Sequence, residues 1–183
     1  MIKPSVPDQL DVRRACRAEE SYGAVMVLQR LPRVLEAIEE SVRAVAAERE
    51  VRVELAFSRD ASGWHRMTGE VSVRVPRVCQ RCLKPMDDVV TSQVSVAFAS
   101  SEEEARQVPR DCEPMILGAQ LDTVAALEEE LLLAMPLHAS HADTSCAGEI
   151  PGPEASAEPE AAVAKENPFA VLGKLLGKNE SKS

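Results

Sequence analysis

Two cysteines, Cys79 and Cys82, stand three positions apart in the stretch VCQRCLKPM (78–86). A thiolate pair at this spacing can supply half of a tetrahedral zinc site, or it can act as a thioredoxin-like redox pair. The redox alternative needs the motif at the start of a helix, where the helix dipole lowers the pKa of a thiol. Pro85 and the strand pattern that follows disfavour a helix here, so zinc binding is the preferred interpretation.

A second group of zinc-type ligands lies in LHASHADTSC (137–146), where His138, His141 and Cys146 fall within nine residues. Structural zinc takes four ligands, usually as two short-range pairs that the fold brings together. His141 with Cys146 would complete a set of three cysteines and one histidine, and His138 is an alternative to His141. The sequence therefore predicts that a structural zinc ion staples this segment to the Cys-x-x-Cys pair.

Basic side chains surround the Cys-x-x-Cys pair, and residues 72–84 contain no acidic residue. The basic residues are Arg74, Arg77, Arg81 and Lys84. The whole chain has a net charge of −9 and therefore repels polyanions at long range, so contact with nucleic acid requires a local basic patch. We interpret these four residues as candidates for contact with RNA phosphate or with a partner. A solvated sheet face, paired with the chain's own glutamates, is the alternative.

The elements that position these residues are visible in the hydrophobic pattern. Residues 51–58, 71–75 and 90–98 alternate apolar and polar side chains, which predicts three strands, although Ser92 interrupts the apolar face of the third. The DASG stretch at 60–63 has turn chemistry. Together these features predict an antiparallel meander with one buried face, and they place the Cys-x-x-Cys pair on the hairpin between the second and third strands.

Two helices are predicted to pack on this sheet. Residues 31–46 carry an apolar stripe made of Leu31, Leu35, Ile38, Val42 and Val45. Residues 122–135 form the second helix, with Asp122 as its cap and Pro136 as its end. The three glutamates at 128–130 are interpreted as the solvated face of that helix.

The predicted architecture is a single α+β domain over residues 1–146, in which an antiparallel sheet packs against helices. Residues 147–166 are rich in Ala, Pro and Glu and predict a disordered linker. Residues 167–183 regain apolar character and predict a C-terminal docking segment with a short helix. The residues proposed for docking are Asn167, Pro168, Phe169 and Leu172.

Several functional classes are disfavoured by the sequence. It contains no phosphate loop, dinucleotide fingerprint, serine elbow or metalloprotease helix, so a binding or scaffold role is expected and an enzyme is not. A thiol oxidoreductase is a third class, which would require reversible oxidation of Cys79 and Cys82. No apolar run approaches a membrane span, and the first residues lack a secretory signal, so a cytoplasmic protein without membrane contact is expected.

The motifs taken together resemble the YceD family of bacteria and plastids, the large ribosomal RNA subunit accumulation proteins. The resemblance runs from DQLDVRRA (8–15) to the tail. The matching positions are Cys79, Gln80, Arg81, Cys82, residues 128–133, Pro136, His141, Cys146 and residues 167–172. In the family the histidine before the last cysteine usually lies five positions upstream of it, which favours His141 over His138. The zinc ion remains an inference from the residues.

The resemblance implies a non-enzymatic role in the synthesis, processing or stability of 23S ribosomal RNA, and hence in biogenesis of the large ribosomal subunit. The implied partners are 23S rRNA or a precursor of the large subunit, or a ribosomal protein, with no small-molecule substrate. The alternative is a protein-interaction adaptor that acts through a ribosomal protein or a nuclease, without RNA contact, by means of its C-terminal segment.

Overall fold

The computed structural model of the chain describes residues 2–147. Within that range it contains eight strands and five α-helices, so the predicted α+β class is confirmed. The strands are β1 (Ile2–Lys3), β2 (Gln9–Leu10), β3 (Ser21–Val27), β4 (Glu50–Arg59), β5 (His65–Val78), β6 (Pro85–Ala99), β7 (Glu113–Ile116) and β8 (Leu121–Asp122). The α-helices are α1 (Val12–Arg17), α2 (Pro32–Glu36), α3 (Glu40–Ala47), α4 (Glu102–Ala105) and α5 (Thr123–Ala134).

The predicted linker and docking segment, from residue 148 onward, lie outside the described residues. The short C-terminal helix, the docking residues and the domain boundary at 146 therefore stay predictions. Of the five described α-helices, none is long and apolar enough to cross a membrane.

The main sheet has six strands in the order β1-β3-β4-β5-β6-β7, and β2 pairs separately with β8. Strands β3 to β6 are antiparallel neighbours, so the predicted meander is confirmed and is extended by β3. The outer strands β1 and β7 run parallel to their neighbours, which makes the whole sheet mixed. Strand β3 was not predicted, although its SYGAVMV sequence buries alternate side chains. The knuckle, residues 79–84, connects β5 to β6 as expected, because Val78 pairs with Pro85.

The core lies on one face of this sheet. The alternating positions predicted for β4, which include Val51, Val53 and Phe57, are all buried. Helices α1, α3 and α5 contact β4, β5 and β6 respectively. Aromatic packing is confined to one edge-on pair in the described residues, Tyr22 with Phe57, whose ring centroids are 5.9 Å apart. The interior is therefore mainly aliphatic, as the scarcity of aromatic residues predicts.

The helix predicted over 31–46 is divided into α2 and α3. Pro32 occupies the first turn of α2 as expected, but Glu39 has an extended ψ of 133° and interrupts the helix. Ile38 remains buried, whereas Val45, which was assigned to the same apolar stripe, is 57% exposed. The interruption leaves the Glu39 side chain able to pair with an arginine of β5, which is described below.

Helix α5 has the predicted bounds, and Asp122 caps it by accepting a hydrogen bond from the backbone N–H of Ala125 at 2.9 Å. The prediction that all three of its glutamates are solvated was wrong. Glu128 and Glu130 are buried, and only Glu129 is exposed. Each buried carboxylate has a partner, since Glu130 accepts a hydrogen bond at 2.7 Å from the hydroxyl of Ser92, the polar residue that interrupts the apolar face of β6.

Glu128 supplies a helix cap from a different part of the fold. Its Oε1 accepts a hydrogen bond at 2.7 Å from the backbone N–H of Arg33, in the first turn of α2. The residue at the N-cap position of α2, Leu31, has no side chain that could do this. The carboxylate thus satisfies an N–H that has no partner within its own helix.

We expect Glu128→Ala to lower the free energy of unfolding by about 1–2 kcal/mol, because it removes the side-chain cap from the first turn of α2. Urea denaturation measures this change. Glu129→Ala, on the exposed side of the same helix, is the control and should change the stability by less than about 0.5 kcal/mol. Equal effects of the two substitutions would contradict the capping role.

Candidate metal centre

The knuckle folds the Cys-x-x-Cys pair into a tight turn. The backbone N–H of Cys79 donates to the carbonyl of Lys84 at 3.0 Å, and the N–H of Leu83 donates to the carbonyl of Cys79 at 2.8 Å. Leu83 has a φ of +58°, which lies in the left-handed region. Cys82 is followed by β6 and not by a helix, so the local structure lacks the helix start that a thioredoxin-like pair uses.

The chain that follows α5 returns to the knuckle and brings the second ligand pair with it. The backbone N–H of Gln80 donates to the carbonyl of Ala139 at 2.9 Å. The side-chain oxygen of Gln80 lies 2.8 Å from Nδ1 of His138. These two contacts hold residues 138–140 against the turn, and they use His138 for positioning.

The four predicted ligands, Cys79, Cys82, His141 and Cys146, come together at this point. Their ligand atoms all lie within 4.8 Å of one another. The sulfurs of Cys79 and Cys146 are 4.0 Å apart, and the Cys82 sulfur is 3.5 Å from Nδ1 of His141. Thiolates bound to one zinc ion at about 2.3 Å would have their sulfurs about 3.8 Å apart in a tetrahedron. The cluster therefore has the dimensions of a four-ligand site that could hold a metal ion.

The cluster also favours a thiolate. Burial alone would favour the neutral thiol of Cys79, but backbone N–H groups of Cys82, His141 and Arg81, together with the Cys82 thiol, donate to its sulfur and lower its pKa to about 5. Burial raises the pKa of Cys146, as do its hydrogen bonds with Cys79 and Cys82. The two shifts favour a thiolate on Cys79 over one on Cys146, and a thiolate is the ligand that a soft cation prefers.

Arg81 takes part in the structure of this site. Its Nη1 lies 3.4 Å from the Cys146 sulfur and donates to the carbonyl of Asp143 at 3.1 Å. Sequence reasoning assigned Arg81 only to an outward contact and missed this role. Its position between Cys79 and Cys82 could have indicated this role, because a cation at that point can offset the negative charge of a thiolate.

Replacement of Leu83 by glycine tests the strain in the knuckle. We expect Leu83→Gly to stabilise the protein by about 0.5–1 kcal/mol, since glycine adopts a positive φ without the steric cost that leucine incurs. Leu83 is 76% exposed, so little packing is lost. Leu137→Gly, at an even more exposed leucine without a positive φ, is the control for thermal unfolding and should not stabilise. Destabilisation by Leu83→Gly would contradict the strain argument.

The four basic residues proposed for contact do not share one environment. Arg74, Arg81 and Lys84 are exposed. Arg77 is 5% exposed, and its Nε donates to Glu39 Oε2 at 3.0 Å and to Oε1 at 3.2 Å. Its position on β5 has the same parity as Val73 and Val75, so the strand alternation already indicated an inward side chain. Arg77 is therefore not placed to offer its guanidinium to a phosphate.

Comparisons with known proteins agree with the resemblance carried by the motifs. The family described as "Large ribosomal RNA subunit accumulation protein YceD" matches residues 67–176, more than half of the chain. A protein of Haemophilus influenzae with the same description is 30% identical over 180 residues, which cover 97% of this chain and 100% of that protein. No solved structure matches the chain. The match spans the hairpin, α5 and all four clustered ligands, and on this ground the chain belongs to the YceD family.

Proposed function

We propose that this protein is a non-enzymatic factor that supports the accumulation of 23S ribosomal RNA and the biogenesis of the large ribosomal subunit in the cytoplasm. The observation that carries the proposal is the full-length similarity to a protein described as a large ribosomal RNA subunit accumulation protein. The hairpin, α5 and the ligand cluster lie within the region matched by the family. Its proposed partners are 23S rRNA or a precursor of the large subunit.

A structural zinc ion is the proposed occupant of the ligand cluster. Three cysteines and one histidine are a common donor set for zinc, and thiolates select it over magnesium or calcium. All four tetrahedral positions would be filled by protein groups, which leaves none open for a substrate. When bound, the ion would supply a cross-link between the knuckle and the chain after α5. Cys79, Cys82, His141 and Cys146 would hold it.

The proposed contact surface consists of Arg74, Arg81 and Lys84. These exposed side chains lie on β5 and on the knuckle, which a bound metal ion would hold in one conformation. Guanidinium groups bind phosphate oxygens in a bidentate manner and contribute affinity without sequence selectivity. The acidic remainder of the chain would limit indiscriminate binding to RNA. Arg77 is left out of this surface because it is paired inside the fold.

Complementation tests the proposal directly. In a bacterium from which the gene has been deleted, the wild-type protein should restore the ratio of 23S to 16S rRNA. Arg74→Gln combined with Lys84→Gln should restore it less well, and should bind a large-subunit precursor more weakly and with a smaller dependence on salt. Arg106→Gln combined with Arg110→Gln, at two exposed positions after α4, is the charge-matched control. An unchanged 23S rRNA level after deletion would contradict the proposed function.

Crosslinking in cells separates RNA contact from the adaptor alternative. RNA recovered on the peptide that contains Arg81 and Lys84 would support the contact surface. Recovery of a ribosomal protein or a nuclease without RNA would support an adaptor in its place.

A further inference from the structure

A second basic site lies at the far end of β5 from the knuckle. It is a cleft of about 360 Å³ between α1, the end of β4, the turn that follows it and the end of β6. We call it the arginine cleft, and its principal lining residues are Arg13, Arg17, Arg59, Trp64, His65 and Phe98. Its volume falls at the lower end of the range for small-ligand sites, roughly 300–1,000 Å³. None of these residues belongs to the ligand cluster or to the proposed contact surface.

The three arginines carry charge that the described fold does not neutralise. Within residues 2–147, Arg13, Arg17 and Arg59 form no ion pair, whereas the neighbouring Arg66 pairs with Asp60 at 2.8 Å and with Asp111 at 3.1 Å. All three are exposed and come from two different elements, α1 and β4. The cleft therefore carries a local positive potential, which is stronger in a concave site than on a flat surface and attracts an anion.

The other polar groups of the cleft cancel only part of this charge, since one carboxylate lies among three guanidinium groups. Glu104 is the acidic residue in its lining, and its carboxylate already accepts hydrogen bonds from the backbone N–H and the hydroxyl of Ser100. Burial lowers the pKa of His65, and the nearby positive charges of Arg59, Arg13 and Arg17 lower it further. The three arginines and His65 line the same cleft.

An aromatic surface completes the cleft. Trp64 is partly buried, and its backbone is fixed by the turn: its N–H donates to Asp60 Oδ1 at 2.9 Å, and its carbonyl accepts from the N–H of Asp60 at 3.0 Å. Phe98 and Leu117 form an apolar part of the wall of the cleft. Indole and phenyl faces stack on nucleobases, and adjacent arginines bind the phosphates that accompany them.

We propose that the arginine cleft binds a nucleotide, with its base against Trp64 and its phosphate held by Arg13, Arg17 and Arg59. The ligand chemistry is that of a nucleoside phosphate, and the preferred source is an unpaired nucleotide of RNA. This choice of source rests on the proposed function, whereas the binding chemistry does not. Unpaired nucleotides are the form in which RNA presents a base for stacking.

Tryptophan fluorescence provides a direct measurement, because Trp64 is the only tryptophan in the chain. The full-length protein is titrated with octaadenylate, AMP, adenosine and inorganic phosphate. We expect saturable quenching by octaadenylate, which weakens as salt rises, and weaker quenching by AMP. Adenosine should bind at least tenfold more weakly than AMP, since it has no phosphate. Inorganic phosphate should compete with AMP without quenching.

Paired variants assign the signal to the cleft. Arg13→Gln combined with Arg17→Gln should weaken octaadenylate binding at least tenfold, while far-UV circular dichroism and the thermal midpoint stay unchanged. Arg52→Gln combined with Arg110→Gln, at two exposed positions outside the cleft, is the matched control and should bind as the wild type does. Trp64→Leu, assayed by fluorescence anisotropy of labelled octaadenylate, should also weaken binding.

The outcomes separate this proposal from the proposed function. Absence of quenching by every ligand, or equal binding by the Arg13→Gln, Arg17→Gln variant and the wild type, would overturn the nucleotide site and leave the proposed function standing. Quenching that persists in the Arg74→Gln, Lys84→Gln protein would support the cleft as an independent site. AMP binding as tight as that of octaadenylate would support the nucleotide site and overturn RNA as its preferred source.

Discussion

Cys146→Ser is expected to abolish stoichiometric metal in the purified protein and to lower its thermal midpoint by on the order of 10 °C. Cys146 is the last of the four clustered ligands, and it lies beside the hairpin residue Cys79 although the two are 67 positions apart in sequence. Metal-binding free energy becomes folding free energy when the unfolded chain has no preformed site. A strong chelator should have the same effect on the wild type.

Elemental analysis and thermal unfolding measure these two effects. Cys112→Ser is the matched control, because Cys112 is a free cysteine outside the cluster whose sulfur lies 3.5 Å from the hydroxyl of Ser95. It should keep the full metal content. A purified wild-type protein without metal, or a Cys146→Ser protein with undiminished metal, would rule out the proposed zinc site and leave the family membership unaffected.

Glu39→Gln is expected to destabilise the protein by about 1–3 kcal/mol, since it leaves the buried guanidinium of Arg77 without its counter-charge. The Arg77 side chain is 6% exposed and that of Glu39 is 30% exposed, so the loss should fall below the value for a fully buried pair. The Nη1 of Arg77 is already buried without a hydrogen-bond partner, and this adds to the dependence on Glu39. Urea denaturation measures the change.

A double-mutant cycle shows whether the two residues act together. Glu39→Gln combined with Arg77→Met should recover part of the stability lost in Glu39→Gln, with a coupling energy of at least about 1 kcal/mol. Arg74→Met, at the exposed arginine of the same strand, is the control and should show no coupling to Glu39. If Arg77→Met weakened RNA binding without changing the stability, Arg77 would act in RNA contact and the internal pairing role proposed for it would be wrong.

Strand pattern was the most informative property of the sequence. The period-two alternation located β4, β5 and β6 because one face of each is buried by helices, and it placed the knuckle at their hairpin. The same rule, applied to Arg77, would have predicted its inward side chain. The parallel outer strand β1 could not be found in this way, because its two residues are too few to show an alternation.

Polar residues inside the fold were harder to predict. Glu128 is buried because a helix start far away in sequence needs an acceptor, and Glu130 is buried because Ser92 faces it across the core. No local property of the EEE run reveals either partner. Each glutamate alone would be assigned to solvent, as most glutamates are.

The candidate ligand set was largely predictable from residue types, but the residue types of this segment alone did not decide between its two histidines. The chain after α5 has no regular period, and its position is fixed by a backbone hydrogen bond between Gln80 of the knuckle and Ala139. In this position His138 lies beside Gln80 and His141 lies beside Cys82. The family's usual spacing gave the same choice.

The length of β5 sets an upper limit on the footprint of a stacked single strand that touches both of its ends. The strand runs for 14 residues from His65, in the arginine cleft, to Val78, beside the knuckle. At about 3.3 Å per residue its ends are separated by at most about 43 Å. A stacked single strand that rises about 3.4 Å per nucleotide would need about 13 nucleotides to cover this distance. Oligonucleotide affinity should therefore increase in a step at or below about 13 nucleotides, where one strand becomes long enough to contact both the arginine cleft and the knuckle.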